Sequence, residues 1–338
     1  MRAFLLQRIT LAVFVLIGVS VVIFLIARVI PGDPARLALG PLASAEQVAA
    51  LRSQLHLDRP LPVQYWYFIS GVVQGDFGFS LYTQRPVSLD LAQFAPATIE
   101  LVLASALLMT CIGIPLGVLA AHYRDRPIDH GARVVALLGI VAPSFVWAIL
   151  LVLLFSYALD LLPVIGRLPT SVAPPPRVTG FYTVDALLDG DVGTFLVALQ
   201  HLVLPATALA LSGIGQAARL TRANMLESYQ RDYTTLARAY GFSGRSIALK
   251  YAMRPALIPT LTILGLDFAS KLGNAFLIEA VFSWPGMARY GVNAILNKDL
   301  NAIVGTVMVI GVAFVVVNLV VDLIVTYLDP RIRARGMA

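Results

Sequence analysis

Six long apolar stretches, parted by polar or Pro/Gly-rich segments, divide the chain: Ile9–Ile30, Ala97–Ala121, Val134–Leu159, Leu199–Ala218, Leu257–Phe282 and Ile303–Leu328. Each reaches the ~18–20 residues that cross a hydrocarbon core about 30 Å thick. Backbone groups in lipid must be satisfied within the segment, so each run is predicted to be a helix. Pro115, Pro143 and Pro205 fall inside these runs, where neighbouring helices can absorb a kink. The first run is too long for a signal-peptide core, and Arg28-Val-Ile-Pro-Gly-Asp33 offers no small-residue cleavage site, so an uncleaved anchor is expected over 1–30.

The segments between the runs carry signals of their own. The stretch 31–96 opens with Pro31-Gly-Asp-Pro34 and is too long to be structureless. A helical piece is predicted near Ala45–Leu55, capped by Ser44, with a turn at Gly75-Asp-Phe-Gly78. The stretch Asp160–Ala198 holds Pro174-Pro175-Pro176, a stiff extended segment. Gln216–Arg254 is different in kind. It carries Arg219, Arg222, Arg231, Arg238, Arg245, Lys250 and Arg254, and within it Thr235–Tyr240 reads as a helix, Gly241 as a break and Ser243 as the start of a second helix.

Composition agrees with the pattern. Apolar residues make up 58% of 338 and charged residues 13%, about half the share of a soluble domain. Basic residues then report topology: about 15 of the 25 fall in Met1–Arg8, His122–Arg133, 216–254 and 329–338, a density nearly threefold that of the other connecting segments. Both termini are therefore expected in the cytoplasm. The pI near 9.6 needs no nucleic-acid partner, because no basic face is interleaved with aromatics. The single cysteine, Cys111, lies within an apolar run, and the four histidines are scattered, so neither a disulfide framework nor a metal site is expected.

Ionisable residues inside spans cost about 2.5–3.5 kcal/mol each on insertion scales, which makes each one a candidate site. Asp267 and Lys271 stand four apart on one face of the fifth run. They either neutralise one another or line a translocation path, with Asn274 one turn further on. Glu279 and Asp322 read as structural or interfacial, and Asn318 as a hydrogen-bonding residue between helices. Gly113 and Gly117 have the small-xxx-small spacing of a close helix contact, within the chain or with a partner. Leu211-Ser-Gly-Ile-Gly-Gln216 resembles an ATPase signature, but an extra isoleucine breaks it and no phosphate-binding Gly-Lys-Ser/Thr loop is present. Neither a catalytic triad nor a paired-carboxylate arrangement argues for an enzyme, and no cofactor is expected.

Along nearly its whole length the chain resembles the permease subunits of the dipeptide, oligopeptide and nickel class of ATP-binding-cassette importers. The resemblance rests on Pro31-Gly-Asp-Pro34, Leu57-Asp-Arg-Pro-Leu61 with Gln64-Tyr65, Gly75-Asp-Phe-Gly78 with Ser80, Pro96-Ala-Thr-Ile-Glu-Leu101, Gly113-Ile-Pro-Leu-Gly117 and Ala142-Pro-Ser-Phe145. It continues through Glu279-Ala-Val-Phe-Ser-Trp-Pro-Gly286, Asn318-Leu-Val-Val-Asp322 and Asp329-Pro-Arg331. It implies an all-α integral membrane protein of six transmembrane helices, a type I importer permease bundle in a bacterial cytoplasmic membrane. In that arrangement 1–30 is an anchor, 31–96 an external region, 97–328 the core with a cytoplasmic loop at 216–256, and 329–338 a tail. The partners implied are a second homologous permease, two cytoplasmic ATPases, an external substrate-binding protein and membrane lipid.

The same resemblance implies a coupling helix that seats in the ATPase, carried by Thr235, Leu236, Ala237, Arg238, Ala239, Gly241, Phe242 and Ser243. Thr235 stands where the family has Glu, and Arg254 where it has Pro, departures that match the peptide-permease variant. Ala237 and Ala239 are expected to let the partner surface approach closely. The solute expected is a di- or oligopeptide. A nickel chelate or other small ligand is the alternative within the class, and a proton-driven secondary transporter using Asp267 and Lys271 is the alternative outside it.

Overall fold

The computed structural model describes residues 2–29, 34–39, 43–54 and 56–328. Residues 31–33 of the Pro31–Pro34 motif, the Asp329–Arg331 motif and the rest of the expected tail lie outside the described residues. The described residues are mostly helical, with no strand among them. In chain order the helices are α1 (Arg2–Val29), α2 (Pro34–Leu39), α3 (Ala45–Gln54), α4 (Leu61–Val73), α5 (Val87–Leu108), α6 (Ile114–His122), α7 (Pro127–Val141) and α8 (Ser144–Leu151). They continue as α9 (Tyr182–Leu188), α10 (Val192–Tyr229), α11 (Asp232–Ala239), α12 (Gly244–Ser246), α13 (Met253–Asn274), α14 (Phe276–Val281), α15 (Met287–Leu296) and α16 (Leu300–Leu328).

Five helical stretches are long and apolar enough to cross a membrane: Leu6–Ile26, Val87–His122, Val192–Tyr229, Gly244–Asn274 and Leu300–Tyr327. Pro127–Val141 and Ser144–Ala158, which meet at 106°, are together long and apolar enough as well, and make a sixth when the bent pair is counted as one broken span. Pro143 thus breaks the third run where a kink was expected. Ala142 and Pro143 are both extended (ψ 134° and 149°), so the chain leaves the helix before the proline and starts a new one after it. Pro205, by contrast, sits inside an uninterrupted α10, and Pro115 follows one widened turn at Met109–Gly113.

Most span boundaries differ from the hydropathy reading: the third, fourth and fifth begin early, at Pro127, Val192 and Gly244, and three further boundaries have a visible cause. The second span starts at Val87, ten residues before Ala97, because the polar residues there are satisfied internally. Asp90 is fully buried, taking the hydroxyl of Tyr290 at 3.0 Å, that of Thr83, and an ion pair with Arg85 at 2.5 Å. The fourth span runs on to Tyr229, eleven residues past Ala218. The fifth ends at Asn274, and Ala275 starts a separate short helix that carries Glu279.

α10 is the axis of the bundle, packed against α5 to α9 and against α13. Its small residues make this possible. A Cβ at Gly113 would lie 2.6 Å from that of Ala217, and one at Gly117 would lie 2.5 Å from the carbonyl oxygen of Ala218. Both glycines therefore serve helix packing within the chain. Gly213 and Gly215, the glycines of the signature-like segment, do the same against Met109 and Ala136. Asn318 donates to Phe314 of its own helix, not across helices, while Asp322 pairs with Arg8 at 3.1 Å and ties α16 to α1.

The connecting segments fold against the bundle through buried polar groups. Ser44 and Gln47 exchange hydrogen bonds at the start of α3, a capping box at the expected helix. Gly75 and Gly78 adopt positive φ in the Gly-Asp-Phe-Gly turn. Buried Arg167 donates to Glu100 at 2.5 Å and to the Gly180 carbonyl at 2.8 Å, and stacks 3.5 Å from the Tyr182 ring. Glu279 is fully buried, accepting from Thr98 at 2.5 Å and from the Arg289 N–H at 2.7 Å, while Trp284 donates to the Ala97 carbonyl at 2.9 Å.

Candidate functional site: a charged recess at a broken span and an exposed basic hairpin

The break at Ala142-Pro143-Ser144 opens a recess of about 370 Å³ between α7, α8, α10, α13 and α14. Asp267, Lys271 and Asn274, the three path candidates, all line it, together with Ser212 and Ser270. Lys271 is 4% exposed. Its Nζ lies 3.2 Å from Asp267 Oδ2, donates to the Leu209 carbonyl at 3.0 Å and sits 3.5 Å from Ser212 Oγ. The pair therefore neutralises itself, the first of the two readings of the sequence, and also faces the recess. Gly213 makes room for it, since a Cβ there would stand 3.0 Å from Asp267 Oδ2.

The serines, and Ser144 at the head of α8, were not legible as site residues. Their one sequence signal is Pro143, which marks where irregular backbone could expose polar groups at membrane depth.

The second candidate is the segment after α10. Arg231 is extended, α11 follows, Gly241 takes φ +78°, and Ser243 caps the next helix by accepting from the Ser246 N–H at 3.3 Å. This is the helix, glycine break and second helix expected from the sequence. Thr234 and Ala237 (4% exposed) turn inward, and the Thr234 hydroxyl is anchored to the carbonyls of Ser228, Tyr229 and Arg231. Ala237 consequently packs within the chain and is not a surface on which a partner can close. Leu236 (57% exposed), Tyr240 (75%) and Phe242 (47%) project outward, and Thr235, Arg238, Ala239, Gly241 and Ser243 are also exposed. Tyr233, exposed on the same helix, is a residue that the motif comparison did not single out.

α11 is thus an amphipathic helix with exposed aromatics, followed by a glycine turn beyond the end of the central span. Two family descriptions match the chain. Residues 113–334 match the binding-protein-dependent transport system inner membrane component, and residues 1–102 its N-terminal counterpart. The chain belongs to this family.

Its relatives extend over the full length. The chain is 46% identical over 330 residues (98% of this chain, 97% of the relative) to the probable D,D-dipeptide transport system permease protein DdpB of Escherichia coli (strain K12). It is 37% identical over 334 residues (98% and 99%) to the di/tripeptide transport system permease protein DppB of Pseudomonas aeruginosa (strain UCBPP-PA14). The dipeptide transport system permease protein DppB of Escherichia coli (strain K12) is 36% identical over 336 residues (98% and 99%).

As a member of this family the chain is a multi-pass inner-membrane permease of an ATP-binding-cassette importer, working with ATPase and binding-protein partners and not itself an enzyme. That membership displaces the proton-driven secondary transporter.

Proposed function

We propose that this permease forms half of a path for di- or oligopeptides, paired with a second homologous permease, two cytoplasmic ATPases and an external substrate-binding protein. The observation that carries the reading is the recess, where a fixed cation and a fixed anion stand 3.2 Å apart in a chain nearly half identical to a D,D-dipeptide permease. A peptide is a zwitterion, so its termini can exchange partners with Lys271 and Asp267 while neither charge is left bare in a low-dielectric site. Asn274, Ser212 and Ser270 add neutral hydrogen-bonding groups around the pair.

In this reading both termini are cytoplasmic, as the density of Lys and Arg supports. The external region runs from the anchor to Pro86, the core from Val87, and the cytoplasmic hairpin lies within 216–256. α11 is the coupling helix: Leu236, Tyr240 and Phe242 seat in the ATPase, with Thr235, Arg238, Ala239 and Ser243 at the rim and Gly241 setting the turn. Ala237 acts from inside, keying α11 to its own chain. ATP binding and hydrolysis then shift the population between outward- and inward-facing states, because the ATPases hold the two states with different affinity.

The test is uptake of a labelled dipeptide into proteoliposomes holding the full complex, its binding protein and ATP, with competing peptides capped at either terminus. Competition by uncapped but not by doubly capped peptide is expected. Equal competition by both would remove the termini from recognition.

A further inference from the structure

A second groove lies between α6, α7 and α10, toward the end of the bundle that carries the 122–126 turn, and shares Ile140 with the recess. It holds about 330 Å³. Its floor is made of alanines, with Ala132, Ala136 and Ala218 all buried, and its far wall of Leu137 and Ile140. Its mouth is made of three arginines, Arg133, Arg219 and Arg222.

The charge at the mouth is unbalanced. One carboxylate, Asp129, serves all the pairing: it is fully buried and takes Arg222 at 2.6 and 2.8 Å, the Asp125 N–H at 3.0 Å and Arg133 at 3.5 Å. The arginine fork of Arg222 is thereby fixed, and Arg133 is shared with the His130 ring at 2.7 Å. Arg219 is exposed, three residues before Arg222 on α10. Three guanidinium groups therefore face the one buried carboxylate, and the nearby Asp125 carboxylate is taken by Arg124 at 3.2 Å, which leaves net positive charge over an apolar trough.

The flank of the trough decides what kind of molecule reaches it. Val134, Val135, Leu137, Leu138 and Val141 are each more than half exposed along α7, which is part of a span. A water-soluble partner has no access to that flank.

We propose that this groove is a binding site for an anionic glycerophospholipid, its phosphate held by Arg219 and Arg133 and one acyl chain lying on the alanine floor against Leu137 and Ile140. Basic clefts between transmembrane helices at the membrane edge recognise lipid headgroups in this way, each arginine contributing about fivefold in affinity. The bound lipid would bridge α7, the first half of the broken span, to the central helix, independently of which solute is carried.

The test is native mass spectrometry of the full-length protein purified with its co-purifying subunits, titrated separately with dioctanoyl phosphatidylglycerol, dioctanoyl phosphatidylcholine and inorganic phosphate. One phosphatidylglycerol should bind at lower concentration than phosphatidylcholine, and phosphate alone should not bind. Arg219→Gln should weaken phosphatidylglycerol about fivefold and leave phosphatidylcholine unchanged. Leu137→Ala, which shortens the apolar wall and keeps the position apolar, should weaken both lipids. Equal binding of the two lipids by the native protein, no effect of Arg219→Gln, or phosphate binding as tightly as phosphatidylglycerol would each overturn the proposal.

Discussion

Lys271 on α13 lies 3.2 Å from Asp267 one turn earlier and donates to the carbonyl of Leu209 on α10 at 3.0 Å, so one ammonium ties the fifth span to the central helix. The pair is at once a crosslink and the charged wall of the recess.

Removing one partner and removing both should therefore differ. Asp267→Leu strands a nearly buried ammonium, a change that costs about 3–5 kcal/mol when a buried pair is broken. It should lower the amount of folded permease recovered from membranes. Asp267→Leu with Lys271→Leu should restore that amount and still reduce uptake. Size-exclusion profiles and dipeptide uptake measured side by side check this, and normal uptake by the double variant would take the pair out of the path.

The packing of α6 on α10 gives a sharper contrast. A Cβ at Gly117 meets the Ala218 carbonyl at 2.5 Å, and backbone cannot yield as a flexible side chain can. Gly131 on α7 has nothing within 4 Å of the same position. Gly117→Ala should lower the thermal midpoint of the detergent-solubilised protein. Gly131→Ala should leave it unchanged or raise stability by ~0.5–1 kcal/mol through helix propensity. Equal effects at the two sites would argue against close α6–α10 contact.

Asp185, in the segment between the third and fourth spans, supplies a pH test. Burial pushes its carboxyl up, but the Thr179 hydroxyl and the N–H groups of Thr179, Gly180 and Val178 outweigh this and hold it below the ordinary 3.8. A carboxyl depressed in the folded state contributes stability that is present above its unfolded pKa and lost as pH falls through the folded one. Protection of the 178–191 amides from hydrogen exchange, taken relative to the intrinsic rate at each pH, should thus fall below about pH 4. Asp185→Asn should already be less protected at pH 7 and should lose that acid-dependent fall. An unchanged acid dependence in Asp185→Asn would assign it to another group.

How much of this was legible in the sequence depends on what decides each feature. Run length and apolarity locate the spans because lipid leaves the backbone no alternative to helix. Gly241 and Ser44 are legible because a positive φ and a helix N-cap select those residue types locally. Pro143 and Pro205 look alike in sequence but differ in outcome. Whether a proline kinks or breaks a span depends on which neighbours satisfy the freed carbonyls, and that is tertiary information. Asp90 and Arg219 displaced two span boundaries for a related reason: polar residues that find partners, or that lie on a helix extending past the membrane, read as loop when only hydropathy is consulted. Ala237 was misassigned to the outer face because eight residues of helix hold too few apolar positions to fix their own orientation. The Thr234 anchor to Ser228, Tyr229 and Arg231 fixes it instead.

The measurement closest to the centre of the account is co-purification of the tagged chain from its native membrane, wild type against Leu236→Arg with Tyr240→Arg. Both side chains project outward, so the variant should fold and keep the second permease while losing the ATPase subunits, and ATP-driven uptake should stop. If the ATPases remain bound to the variant and uptake continues, α11 is not the coupling helix.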